Sequence, residues 1–212
     1  MHPFLVLLFY SPAIHRFVID FSLLMTLERF CVKFFATPDT QLDDEAIFID
    51  IFQDWIRLHS LPGVLLDVAD YSHVPDGPGV MLISHEVNYA MDHGNGEFGL
   101  YAQRKVSEEA TQQERIMGLV QSTAAFGKLL EEDKRVNVTL AGNKFLYISN
   151  DRLLGPNTDE GFNAVKPDLE AIAAQLYPGQ SVTVTRVENE PSARLTAVVE
   201  AQTSVTLGAL AA

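Results

Sequence analysis

The stretch GVLLDVADYSHVPDGPGVMLISHEVNYAMD, residues Gly63 to Asp92, decides the fold. Its two apolar runs, Val64–Tyr71 and Val80–Met91, are rich in the β-branched and aromatic residues that are typical of strands. Between them lies Pro75–Gly79, a strong turn signal because proline and glycine interrupt regular structure. The stretch therefore predicts a strand, a turn and a second, long strand.

The flanking segments extend this pattern in both directions. Asn95-Gly96 is typical of a tight hairpin, so Phe98–Val106 is expected to return as the third strand of a meander. Upstream, residues 29–36 predict a strand and residues 42–60 a helix. The helix prediction depends on apolar side chains at helical spacing, namely Phe48, Ile51, Phe52, Trp55 and Ile56.

Downstream of the meander the sequence predicts a second helix and a hairpin. Thr111 and Glu114 have the spacing of a capping box, and a helix would follow to about Glu132. Residues 136–140 and 144–149 read as two strands that turn around Ala141-Gly142-Asn143.

The last third of the chain predicts a third helix and a final hairpin. The helix would cover residues 158–176, with Asn157 as its cap and a bend or restart at Pro167, since proline cannot continue the hydrogen-bond ladder. Residues 181–188 and 193–201 alternate as the two strands of the hairpin.

These elements together predict an α+β fold, in which an antiparallel-rich sheet is packed by about three helices. The order β-α-β-β occurs twice, in Phe30–His85 and Phe145–Glu200, with Pro62-Gly63 and Pro178-Gly179 at matching points. A duplicated unit would explain this order. Chance is the alternative, because β-α-β-β is a common unit and the residue identities barely match.

The composition excludes some classes of partner. The chain has 212 residues, 47% of them hydrophobic, and a formal net charge of -13, which repels phosphate backbones. We therefore expect no nucleic-acid partner. The single cysteine, Cys31, rules out an intramolecular disulfide and lies in an apolar run, where it is expected to be a core residue.

The first 24 residues are rich in Phe, Leu, Val and Ile. Residues 1–24 are apolar, but Arg16 and Asp20 interrupt them and oppose membrane insertion. Met25 begins an ordinary first strand, so residues 1–24 are interpreted as a non-native upstream extension or an apolar, disordered leader. A membrane or export signal and a real structural segment are the alternatives. Residues 25–202 are expected to form one cytoplasmic α+β domain with no membrane partner, and residues 203–212 a frayed tail.

The motifs of P-loop, dinucleotide-binding, zincin and α/β-hydrolase proteins are absent from the sequence. Reactive side chains concentrate between Asp67 and His93. If the turn pairs Val74 with Val80, strand alternation brings one set of them to a single face as a small-ligand site: Asp67, Tyr71, His73, His85 and Tyr89. A well-packed hairpin without a site is the competing interpretation.

Two further interpretations remain open. His73 and His85, with Asp67 or Glu86, could bind a divalent metal. The order of elements resembles the duplicated modules of glyoxalase-like (vicinal oxygen chelate) metalloenzymes, which implies such a site, although the second half has no histidine. Separately, Asn150–Asn157 precedes a helix start, where Arg152 could help to hold an anion. Asp151, Asp159 and Glu160 oppose this, and a polar connection with a helix cap is the alternative.

The function expected from the sequence is therefore a non-catalytic one. The protein would act by self-association, as a homo-oligomer such as a homodimer, or by binding a small molecule. The metal-dependent enzyme that uses His73, His85 and Glu86 is the alternative.

Overall fold

The computed structural model describes residues 29–75, 77–94, 97–106 and 109–211. Within these residues the chain forms eight strands and four helices. In chain order they are β1 (Phe30–Ala36), α1 (Ile47–Leu58), β2 (Leu65–Asp70), β3 (Val80–Ser84), β4 (Val87–Asp92), β5 (Gly99–Arg104), α2 (Gln112–Glu132), β6 (Leu140–Ser149), α3 (Asp159–Leu176), β7 (Val182–Arg186), β8 (Thr196–Ala201) and α4 (Leu207–Leu210).

The strands form one antiparallel sheet in the order β2-β3-β4-β5-β1-β6-β8-β7. Strand β1 lies in the interior of the sheet and pairs with β5 on one side and β6 on the other. Its residues Phe30–Phe35 are all buried, and all of them except Lys33 are apolar, as is typical of a strand covered on both faces. The α+β fold class predicted from the sequence is confirmed.

All four helices pack on one face of this sheet. The apolar stripe of α1, the buried sides of α2 and α3, and Leu207 of α4 join a single core with Phe30, Val32 and Phe34 of β1. We call this side of the sheet the helix face. A second cluster lies on the opposite side and contains strand residues alone: Cys31, Phe35, Met81, Ala90, Tyr101, Leu146 and Ile148. We call that side the second face.

The predicted long strand over residues 80–91 is wrong, because the structure divides it into β3 and β4. A tight turn at Ser84 separates them: its hydroxyl donates to the Val87 carbonyl (2.5 Å) and accepts from the Val87 amide (3.1 Å). The side chain of Ser84 thus satisfies the backbone groups that a continuous strand would pair elsewhere. The meander has four strands, β2 to β5, rather than three.

The predicted hairpin over residues 136–149 is also wrong, since β6 runs straight through Gly142. Here the glycine serves a close approach of two backbones. The Gly142 amide donates to the Val205 carbonyl (3.0 Å), and a Cβ at this position would lie 2.4 Å from that oxygen. The lack of a side chain at Gly142 allows the C-terminal segment to pack against β6. A glycine needed for such a close approach looks in the sequence like a glycine needed for a turn.

The start of α3 differs from the prediction by one residue. Thr158 is the cap, and its hydroxyl accepts the Gly161 amide at 3.1 Å. The predicted cap, Asn157, instead accepts hydrogen bonds from the Arg186 guanidinium of β7. The helix passes through Pro167 without a restart.

The predicted frayed tail over residues 203–212 contains a helix within its described part, residues 203–211. Leu207–Leu210 form α4, and both Leu207 and Leu210 are buried in the helix-face core.

The duplication is not confirmed by the arrangement of the strands. In the second half, β6 lies beside β8 and then β7, whereas in the first half β5 and β4 separate β1 from β3 and β2.

None of the helices in the described part of the chain has both the length and the apolar character that a membrane span needs. The expectations for residues 1–24 fall outside the described residues.

Candidate functional site

The structure distributes the predicted ligand residues over different places. Asp70 pairs with Val80, so the pairing of Val74 with Val80 on which the predicted site depended does not occur. Asp67 pairs with Ile83, which packs against the second-face cluster. Tyr89 lies on the helix face, where its ring stacks on Phe126 of α2 with 4.5 Å between the ring centroids.

The remaining predicted residues lie in connections between strands. Tyr71 and His73 are exposed in the loop between β2 and β3, and His85 and Glu86 are exposed in the turn between β3 and β4. Over the described ranges, no group of three or more His, Cys, Asp or Glu side chains is placed to hold a metal ion. Neither the ligand set nor the metal set is brought together on one surface.

A different set of polar side chains converges on the second face. Cys31 and Lys33 point to this face from β1, where strand alternation places them beside Gln103 and Tyr101 of β5. On the other side, β6 contributes Ile148 opposite Cys31. These side chains form the centre of the candidate site.

Cys31, Tyr101 and Arg194 form a chain of hydrogen bonds across three distant parts of the sequence. The Cys31 thiol and the Tyr101 hydroxyl lie 2.7 Å apart. Arg194 donates through Nη1 to the Asn150 side-chain oxygen (2.9 Å), and the same nitrogen lies 3.4 Å from the Tyr101 hydroxyl. The two neutral groups are thus held beside a guanidinium that keeps its charge at all relevant pH values.

Burial keeps the acidic members of this chain protonated. It raises the pKa of the Cys31 thiol to about 11, against the weaker effect of the Tyr101 hydrogen bond. Burial, together with the neighbouring Cys31, also raises the pKa of Tyr101. Because the thiolate is the reactive form of cysteine, Cys31 is not an activated nucleophile at neutral pH.

Lys33 fixes the loop that borders the site. Its ammonium group is fully buried and contacts the Asp92 carboxylate (3.1 Å) and the backbone carbonyls of Asp92 (3.1 Å), Gly94 (2.6 Å) and Glu97 (2.7 Å). Burial lowers the pKa of Lys33, while the Asp92 charge opposes that shift. The ion pair ties the end of β4 to β1 and positions one wall of the cavity described next.

Two adjoining recesses open around Arg194. The smaller, of about 210 Å³, lies over the second face and is lined by Pro78, Met81, Asp92, Gly94, Tyr101, Gln103, Ile148 and Arg194. The larger, of about 640 Å³, is lined by Arg29, Asn150, Asp151, Arg152, Leu153 and Arg194. We refer to the first as the cavity and to the second as the arginine cleft.

The sequence contained only a weak signal for this site. Cys31 and Lys33 interrupt an apolar strand at alternating positions, which indicates a polar partner on one face. The partners, Tyr101, Asp92 and Arg194, lie about 60 to 160 residues further along the chain, so only the strand order reveals them. Of the predicted anion segment, Asn150 and Arg152 do line the arginine cleft, whereas the first residues of α3 do not.

Comparison with known proteins does not assign a family. No protein-family model matches the chain, and the search of curated proteins found no match either.

Proposed function

We propose that the protein is a non-catalytic binding protein whose small-molecule ligand occupies the cavity on the second face. A single observation carries this proposal: Tyr101 and Arg194 converge with Met81 and Ile148 around a recess of about 210 Å³. Apolar walls with a few placed polar groups are typical of ligand sites. The cavity alone is smaller than most such sites, and the adjoining arginine cleft provides the remaining room.

The chemistry of the cavity supports binding rather than catalysis. A general base or nucleophile needs a pKa near the working pH or below it. Burial raises the pKa of Tyr101, which lines the cavity, and that of its buried hydrogen-bond partner Cys31, so both act as neutral hydrogen-bonding groups at neutral pH.

The test is a titration of the ¹⁵N-labelled full chain with octanol and with octanoate, followed by amide chemical shifts. We expect at least one of these probes to shift the amides of Met81, Tyr101 and Ile148 in a saturable way. Met81→Trp fills the cavity and should abolish those shifts. Gln175→Trp is the matched control, because Gln175 is exposed on α3 and lines neither recess, so it should leave them unchanged. Shifts that are absent, or that persist in the Met81→Trp protein, would contradict the proposal.

Self-association as a homodimer is a second proposal, favoured by exposed apolar side chains between the end of α1 and the loop that follows the edge strand β2. They are Leu58, Val64, Leu66, Tyr71 and Val74. Strand β2 also carries a register shift between Leu65 and Asp67 together with two carboxylates, Asp67 and Asp70. Bulges and edge charges oppose pairing with another strand. A second copy would therefore dock through these exposed side chains. Light scattering of the wild type and of Leu66→Lys tests this.

We include a cytoplasmic location and the absence of a nucleic-acid partner in this proposal. The single cysteine fits a reducing compartment, and the net charge of -13 repels a phosphate backbone.

A further inference from the structure

We infer that the ligand is a small amphiphilic oxyanion, whose carboxylate or phosphate group binds Arg29, Arg152 and Arg194 in the arginine cleft. This inference rests on the proposed ligand-binding function and adds the chemical class of the ligand. The apolar part of the molecule would enter the adjoining cavity.

The charge of the cleft is opposite to that of the whole chain. Three arginines line it, together with a single acidic residue, Asp151. The chain as a whole carries a formal net charge of -13. A concave, locally positive recess in an acidic protein concentrates small anions and is too limited in extent to follow a nucleic-acid backbone.

The three arginines of the cleft differ from some other arginines of the chain in that they form no ion pair with a described carboxylate. Arg57, Arg135 and Arg186 each form an ion pair with an aspartate. Over the described residues, Arg29, Arg152 and Arg194 form none; Arg194 uses the neutral acceptors Asn150 and Tyr101. The three cleft guanidinium groups therefore keep donors and charge available for an oxyanion, which arginine binds with paired N–H groups.

The acidic groups near the cleft are already engaged. The Asp151 carboxylate accepts the backbone amides of Leu153 and Leu154, each at 3.1 Å, and so shapes the loop that carries Arg152. The Asp92 carboxylate at the cavity is paired with Lys33. Neither carboxylate forms an ion pair with a cleft arginine.

Arg194 connects the two recesses, because it lines both of them. An oxyanion that contacts Arg194 from the cleft would leave its remaining atoms directed at Met81 and Ile148 in the cavity. A ligand with a charged head and a short apolar body uses both recesses, whereas a bare anion uses the cleft alone.

The test is calorimetric titration of the full chain with four probes: octanoate, octyl phosphate, octanol and inorganic phosphate. We expect octanoate or octyl phosphate to bind at least about tenfold more tightly than octanol, since charge-assisted hydrogen bonds are the strong ones. Arg152→Gln and Arg29→Gln should each weaken that binding by about tenfold. Both residues are exposed, so the variants should fold normally. Affinity should fall with added salt, because exposed charges are screened.

Arg57→Gln is the matched control and should leave the affinity unchanged, since Arg57 lies on α1 and does not line the cleft. Equal binding of octanol and octanoate, unaffected by the cleft variants, would overturn the inference and leave the proposed function standing. Oxyanion binding that needs the arginines but survives Met81→Trp would overturn the cavity as the ligand site and keep the anion assignment. If none of the four probes binds, both are overturned.

Discussion

Single residues on β1 show how this sheet accommodates polar groups in a buried layer. Cys31 and Lys33 are both fully buried on the second face, and each contacts partners that are distant in sequence. A buried ion pair contributes little when intact, yet removing one member leaves an uncompensated charge. The Lys33–Asp92 pair is therefore better understood as a device that holds the loop after β4 than as a source of stability.

The titration of Cys31 leads to a prediction at this scale. Its pKa is about 11 in the folded protein and 9.0 when exposed. Above pH 9 the unfolded chain releases the thiol proton while the folded chain retains it, so this residue lowers the free energy of unfolding as the pH rises from 9.0 to about 11. Below pH 9 it has no such effect. Cys31→Ser removes this loss, which amounts to about 2 to 3 kcal/mol over the full window.

The measurement is urea unfolding of the wild type and Cys31→Ser at several pH values between 8 and 10.5. The free energy of unfolding of Cys31→Ser, minus that of the wild type, should increase as the pH rises. Cys31→Ala, which also lacks the thiol but cannot replace its hydrogen bond, should show the same pH dependence with a larger constant deficit. Parallel curves for the wild type and both variants would exclude this assignment of the thiol pKa.

Predictions for a helix or strand are correct where the sequence pattern depends on residues of that element alone. The capping box of α2 is present as predicted: the Thr111 hydroxyl accepts the Glu114 amide, and the Glu114 carboxylate accepts the Thr111 amide. The apolar stripe of α1 is buried as its spacing indicates. Signals that involve a second segment were misread, as at Gly142, where the glycine admits the backbone of Val205.

Pro167 gives a prediction at the scale of the element. It lies in the interior of α3, where its lack of a backbone amide removes one helical hydrogen bond. Its side chain is exposed, so packing in the core does not offset that loss. Pro167→Ala restores that hydrogen bond and should raise the free energy of unfolding by about 1 to 3 kcal/mol. Urea unfolding measures the change. Gln175→Ala, an exposed site on the same helix, should change stability by less than about 0.5 kcal/mol. A destabilised Pro167→Ala protein would mean that α3 needs the proline where it stands.

At the scale of the whole molecule, the C-terminal segment completes the core. Leu207 of α4 is fully buried and packs against α2 at Gly127, where a Cβ would lie 2.3 Å from the Leu207 Cδ1 atom. The absence of a side chain at Gly127 thus makes room for Leu207. Segments that are about 80 residues apart in sequence share this contact.

We predict that Leu207→Ala lowers the free energy of unfolding by about 2 to 5 kcal/mol, because a fully buried leucine leaves a cavity when it is truncated. Thermal or urea unfolding of the full chain measures the loss. Leu153→Ala is the control: Leu153 is 86% exposed, and its truncation should change stability by less than about 0.5 kcal/mol. Similar small effects for both variants would show that α4 is dispensable for the core.

The sequence by itself determined the fold class and the approximate place of three helices and of the strands β1, β2, β5, β7 and β8, because hydrophobic periodicity, caps and turn residues act over a few neighbouring positions. It did not determine the register of β2 with β3, on which the predicted site at Asp67, Tyr71, His73, His85 and Tyr89 depended.

The tertiary structure alone decided which side chains meet. Strand order brings Cys31, Tyr101 and Arg194 together on one face, and the Ser84 turn moves His85 and Glu86 into an exposed connection. The physical reason is that side chains alternate with a period of two along a strand, so a shift of one residue in pairing moves a whole set to the other face. Contacts between distant segments follow from that pairing and leave no local pattern in the sequence.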